Sequence, residues 1–194
     1  MADPDLPEVG EYSPIVQGAV SFVLLLGFFV VAIIAGGGDW ASQWAWMSVG
    51  LALILVVLAA FDMKAHILPD ALTLPLLLAG LVLHGLWPID LLWSGVGAVC
   101  GYGLIAGLRW IWMQRRGIEA IGLGDAKMLA AGGAWVGAAG LPIVLLVASG
   151  SALIVVLLSD GYFRDKALPF GVFLAVGIWA SWCFWVSPQM MAVR

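Results

Sequence analysis

Long apolar runs broken by short polar interruptions organise this chain. Seven runs are visible, at about Ile15–Ala35, Gln43–Phe61, Ala71–Trp87, Leu91–Met113, Asp125–Val136, Leu141–Leu158 and Phe170–Val186. About 20 helical residues cover a roughly 30 Å hydrocarbon core, and several runs reach that length. They are too long and too uniformly apolar for the alternating pattern of barrel strands. The pattern predicts an all-α fold: a polytopic transmembrane helical bundle of about seven spans.

The interruptions are as informative as the runs. Gly36-Gly37-Gly38-Asp39 is a turn signal after the first run, which holds no charged residue and reads as an anchor. Met63 to Asp70 forms a short polar loop, in which Pro69 biases Leu68 away from helix and Asp70 fits the N-cap of the next span. Pro75 is positioned to kink that span. Gly97-x-x-x-Gly101 and Gly103-x-x-x-Gly107 in the fourth run would let helix backbones approach closely.

The fifth run is short and rich in Ala and Gly. At about 1.5 Å per residue it cannot cross a bilayer unaided. It reads as a helix buried against neighbours, continuing through Gly137-Ala138-Ala139-Gly140 into the sixth run.

Composition agrees with this picture. The 194 residues are 63% hydrophobic and 10% charged, against about 25% charged in soluble domains. A net charge of −4 with eight Lys and Arg gives no nucleic-acid footprint. Cys100 and Cys183 both lie inside apolar runs, away from metal-ligand spacing, so neither a disulfide framework nor a zinc site follows. No metal or cofactor is expected.

Residues 1–14 carry Asp3, Asp5, Glu8 and Glu11 without a base, and are expected to form a disordered acidic arm. That acidity is opposite to the n-region of a signal peptide, so the first run reads as a retained span. Residues 15–194 are then one membrane-embedded domain, with a core at 43–186 and an extra N-terminal span at 15–36. Lys64, Arg109, Arg115, Arg116, Lys127, Arg164 and Lys166 fall on one side of this layout and only Arg194 on the other. The positive-inside rule makes the first side cytoplasmic.

That side also holds Asp62, Asp70 and Asp125. An ionisable group at the edge of a bilayer is costly and points to function. Two carboxylates a few ångströms apart cannot both ionise easily, so such a pair shares one proton near neutrality. The ionised member can take a proton from water while the other donates to a scissile carbonyl oxygen, which is metal-free peptide hydrolysis. Asp62 and Asp125 are the candidate pair.

Gly122 and Gly124 can take positive φ and let a substrate backbone approach Asp125. Asp70 reads either as a helix cap or as a third carboxylate. Lys127 reads as a snorkelling interfacial lysine or as a direct partner of the dyad. His66 reads as exposed loop, and His84 as hydrogen-bonded packing.

These residues resemble the signatures of the type IV prepilin peptidases, intramembrane aspartic proteases of the Gly-x-Gly-Asp type. The first is Asp62-x7-Asp70 with Leu68-Pro69-Asp70, and the second is Gly122-Leu123-Gly124-Asp125-Ala126-Lys127. Leu168-Pro169-Phe170-Gly171 resembles a third family feature at the start of a late helix. The resemblance spans roughly residues 43 to 186 and implies a GxGD aspartic protease architecture.

It further implies that Asp62 and Asp125 are catalytic, supported by Gly122, Gly124, Lys127, Pro69, Asp70, Pro169, Phe170 and Gly171. The implied substrate is a prepilin or pseudopilin, with a basic leader and an apolar N-terminal helix, cut at the cytoplasmic face of a bacterial inner membrane in contact with lipid. Many bacterial members carry an N-terminal region with paired Cys-x-x-Cys motifs linked to N-methylation. No such motif occurs here, so the chain is similar to the peptidase-only forms that serve Tad/Flp-type pili.

Two alternatives remain beside this reading. A presenilin or signal-peptide-peptidase-like protease would share the dyad but carry Pro-Ala-Leu, where this chain reads Ala167-Leu168-Pro169-Phe170-Gly171. A small transporter or assembly protein would line a polar pathway with its acids, yet here they gather at one face.

Overall fold

In the computed structural model, which describes residues 43–86, 91–117, 122–159 and 167–186, the apolar runs are helices. They are α1 (Gln43–Ala65), α2 (Asp70–Leu86), α3 (Leu91–Arg116), α4 (Leu123–Leu158) and α5 (Phe170–Ser181), with a π-helical turn at Trp182–Val186. No strand occurs among the described residues. Among the described residues three helical stretches are long and apolar enough to cross a membrane: Met47–Ala65 within α1, α3, and α4 taken across its break at Gly137. The acidic arm, the first apolar run, the Trp87–Asp90 turn, the 160–166 loop with Arg164 and Lys166, and the tail after 186 lie outside the described residues.

For the described helices the expected boundaries hold to within a few residues. One shift matters: α1 runs four residues past Phe61, so Asp62 sits in its last turn rather than at the start of a loop. Pro75 is accommodated inside α2, which continues to Leu86.

The small-residue run at the centre of the chain becomes the centre of the fold. α4 packs against α2, α3 and α5, while α1 packs mainly on α5. α4 is broken at Gly137, whose φ of 70° and ψ of 174° are non-helical. Adjacent residues of α5 show what the break does. Ile178 lies over Gly132, and Gly177 lies against the carbonyl of Val144. On a straight helix those two positions would be about 18 Å apart, so the chain doubles back and the fifth and sixth runs form a helical hairpin.

Glycine and small polar groups hold the hairpin to its neighbours. A Cβ on Gly97 would strike the carbonyl of Gly133, one on Gly133 would strike that of Gly97, and one on Gly101 would strike that of Leu129. Such approach is how helices associate in lipid, where hydrophobic contrast between them is lost. Gly103 and Gly107 have nothing within 4 Å, so only the first of the two glycine motifs serves this contact. Ser94 Oγ donates to the Ala134 carbonyl, Trp135 Nε1 to the Leu76 carbonyl at 2.8 Å, and Ser181 Oγ to the Gly140 carbonyl at 3.1 Å. Large aliphatic side chains elsewhere, such as Leu53, Val99 and Leu146, point outward, as a lipid-facing surface requires.

The up-and-down order brings one set of helix ends together. The C-termini of α1 and α3 and the N-termini of α2, α4 and α5 share one end of the bundle. Lys64, Arg109, Arg115, Arg116 and Lys127 lie at that end, with Asp62, Asp70 and Asp125.

Candidate active site

Asp62 is the anchor of this end. It is 5% exposed in the last turn of α1, and its Oδ2 has no hydrogen-bond partner among the described residues. Buried polar atoms in folded proteins are nearly always satisfied, so an orphaned carboxylate oxygen calls for an explanation. The backbone N–H groups of Gly171 and Val172, in the first turn of α5, face the same carboxylate. Only glycine permits this. A Cβ on Gly171 would stand 2.8 Å from Asp62 Oδ2 and 3.2 Å from Leu68 Cδ1.

Asp125 is the third residue of α4 and is half-buried. Its carboxylate lies close enough to Asp62 for the two charges to act on one another. The helix begins after Gly122, and no side chain caps it. The fold thus brings together the two aspartates that the sequence separates.

The glycines of Gly-x-Gly do not use positive φ, which is a correction to the sequence reading. Gly122 is extended, with φ −71° and ψ 145°, and Gly124 is helical. Among the described glycines only Gly117 and Gly137 have positive φ. The requirement at Gly124 is space: its Cβ would meet Leu68 Cβ at 3.2 Å. Gly122 is exposed, and a Cβ there would meet nothing closer than 3.8 Å, where Asp125 Oδ2 lies.

Leu68 is the residue that the sequence reading passed over. It is 7% exposed and its side chain abuts both Gly124 and Gly171, so it wedges between the two other motif segments. The available signal was the position of Leu68 directly before Pro69 in the Leu-Pro-Asp motif.

Asp70 opens α2, but its carboxylate does not cap it. The Pro69 carbonyl accepts from Leu72 N–H at 3.0 Å and Thr73 N–H at 3.1 Å. The Asp70 carboxylate instead receives Lys127 Nζ at 2.6 and 2.7 Å. His66 is exposed, as expected, but has φ 52° and places Nε2 3.3 Å from the Ala167 carbonyl. It links the α1–α2 connection to the segment before α5. His84 is buried and bonds the Gly80 carbonyl at 2.7 Å, a packing role. Pro169 is buried and its carbonyl accepts from Val172 N–H at 3.3 Å, while Phe170 packs partly buried against the core. Among the described residues no three His, Cys, Asp or Glu side chains gather as metal ligands.

Comparison with known proteins bears on this arrangement. The sequence model described as the type IV leader peptidase family matches residues 49–157. A prepilin leader peptidase/N-methyltransferase of Burkholderia pseudomallei (strain K96243) is 45% identical over 133 residues, covering 66% of this chain and 43% of that protein. The protein of the same name from Pectobacterium carotovorum subsp. carotovorum is 39% identical over 165 residues, covering 82% of this chain and 59% of that one. That of Xanthomonas campestris pv. campestris is 34% identical over 167 residues, covering 80% and 56%. The chain therefore spans about half the length of these relatives. No solved structure matches.

Proposed function

Because the chain belongs to the type IV leader peptidase family, we propose that it is a membrane-embedded aspartic endopeptidase that removes the leader of prepilins or pseudopilins. The observation that supports this most is Asp62, a buried carboxylate with an unsatisfied oxygen, within electrostatic reach of Asp125 where three motif segments meet. The relatives named as prepilin leader peptidases supply the substrate class. The basic residues at the same end favour a site on the cytoplasmic face of the inner membrane.

In this reading Asp62 and Asp125 hold one proton between them. The ionised carboxylate takes a proton from a water whose oxygen attacks the scissile carbonyl carbon. The protonated carboxylate donates to the carbonyl oxygen, giving a tetrahedral diol. Collapse of the diol breaks the C–N bond, and a proton passes to the leaving amine. The pair titrates as a unit, so neither role belongs to one residue alone. The first turn of α5 fixes the orientation of Asp62, and the start of α4 carries Asp125 toward it.

A cleavage assay in membranes tests the reading, with the protein co-expressed with a candidate prepilin. Wild type should remove the leader, and Asp62→Asn and Asp125→Asn should each abolish removal while accumulating normally. Normal processing by either variant would overturn the dyad. Intact prepilin in the presence of wild-type protein would overturn the substrate class.

A further inference from the structure

Asp62 and Asp125 sit on helices that share few direct contacts. α1 packs on α5 and α2, and α4 on α2, α3 and α5. The relative position of the two carboxylates is therefore transmitted through other segments. One is the start of α5, which lies against Asp62. The other is the connection from His66 to Pro69, which leads from Asp62 straight into α2.

That connection is held to the start of α4 at two points. On the inner side, Leu68 packs on Gly124. On the outer side, Lys127 Nζ is held by both carboxylate oxygens of Asp70, at 2.6 and 2.7 Å, with side chains 37% and 55% exposed. Lys127 lies two residues past Asp125, so it leaves α4 on a different side from the dyad. Asp70 lies two residues past Leu68. An ion pair so exposed adds little to overall stability. Its consequence is local, because it ties the two motif segments that carry the carboxylates.

We propose that the Asp70–Lys127 ion pair is a latch that sets the spacing of Asp62 and Asp125, with both residues acting as positioning residues. This rests on the dyad reading above. Rate is sensitive to the placement of reacting groups, so even a weak tie in this place shows in turnover, by a factor of several.

The test uses the full-length protein in membranes. Asp70→Asn, Lys127→Gln and the double variant should each lower kcat about three- to fivefold with KM nearly unchanged. The double variant should be no worse than the singles, since one broken pair is broken once. The charge swap Asp70→Lys with Lys127→Asp should restore kcat to near the wild-type value.

Hydrogen exchange of the backbone amides of His66, Ile67, Leu68 and Asp70 provides a second readout, independent of cleavage. It should quicken in the single variants and return toward wild type in the swap, while α3 stays unchanged. Additive losses, a raised KM at constant kcat, or unaltered exchange would each overturn the latch. Asp62→Asn serves as the control. If it cleaves normally the dyad reading fails, and the exchange measurement still decides whether the pair holds the segments together.

Discussion

Gly171 and Asp62 meet with no room for a side chain between them. A methyl group on Gly171 would stand 2.8 Å from Asp62 Oδ2 and 3.0 Å from its Cγ. The short acidic side chain is the part that can yield. Gly171→Ala should therefore turn the carboxylate away and lower kcat about 10- to 100-fold, by the sensitivity of rate to misplaced groups. The amount of protein in the membrane should stay at the wild-type level. Wild-type turnover in a purified cleavage assay would show that the orientation of Asp62 is not set by α5.

Leu68 lies between Gly124 and Gly171 and is 7% exposed. Leu68→Ala should leave a cavity under both and destabilise the protein by about 2–5 kcal/mol. Leu68→Met, which conserves volume, should cost under about 1.5 kcal/mol. Thermal unfolding in a mild detergent measures both. Equal melting temperatures for the two variants would contradict the wedge.

The two glycine motifs of α3 should respond in opposite ways. Gly97→Ala places a methyl against the Gly133 carbonyl, a backbone atom that cannot rotate away. The expected loss is about 1–3 kcal/mol, in the range of overpacked cores. Gly103→Ala meets nothing within 4 Å and should stabilise by roughly 0.5–1 kcal/mol through helix propensity. Melting temperatures should move in opposite directions.

Ser94 donates to the Ala134 carbonyl close to the break at Gly137. Ser94→Ala should cost about 0.6–1.7 kcal/mol, the range for interhelical hydrogen bonds in membranes. Gly137→Ala should cost about 1–3 kcal/mol from its backbone conformation alone, since φ 70° with ψ 174° is open essentially only to glycine while a Cβ there has space. Chemical or thermal unfolding of the two variants and their combination checks both figures.

Much of this was legible in the chain. The small residues from Ala126 to Gly140 marked a helix that could not cross alone and that continued into the next; that the chain doubles back at Gly137 was not legible. Gly97-x-x-x-Gly101 was legible as a close-approach surface, but nothing distinguished it from Gly103-x-x-x-Gly107, which faces open space. The reason lies in the solvent. These helices are apolar on every face, so their pattern reports partition into lipid and not which side meets a neighbour.

Read alone, the chain already specified apolar helices of membrane-crossing length, the ends of the described helices to within a few residues, and the motifs they carry. Those follow from local facts: run length, turn residues and spacing along one chain. The packing of the helices shows that Asp62 is buried in the last turn of α1, within electrostatic reach of Asp125. It also decided that Gly124 and Gly171 are needed for space, and that Lys127 pairs with Asp70 instead of reaching for water. Each of these depends on groups far apart in the chain being packed together, which no local pattern encodes.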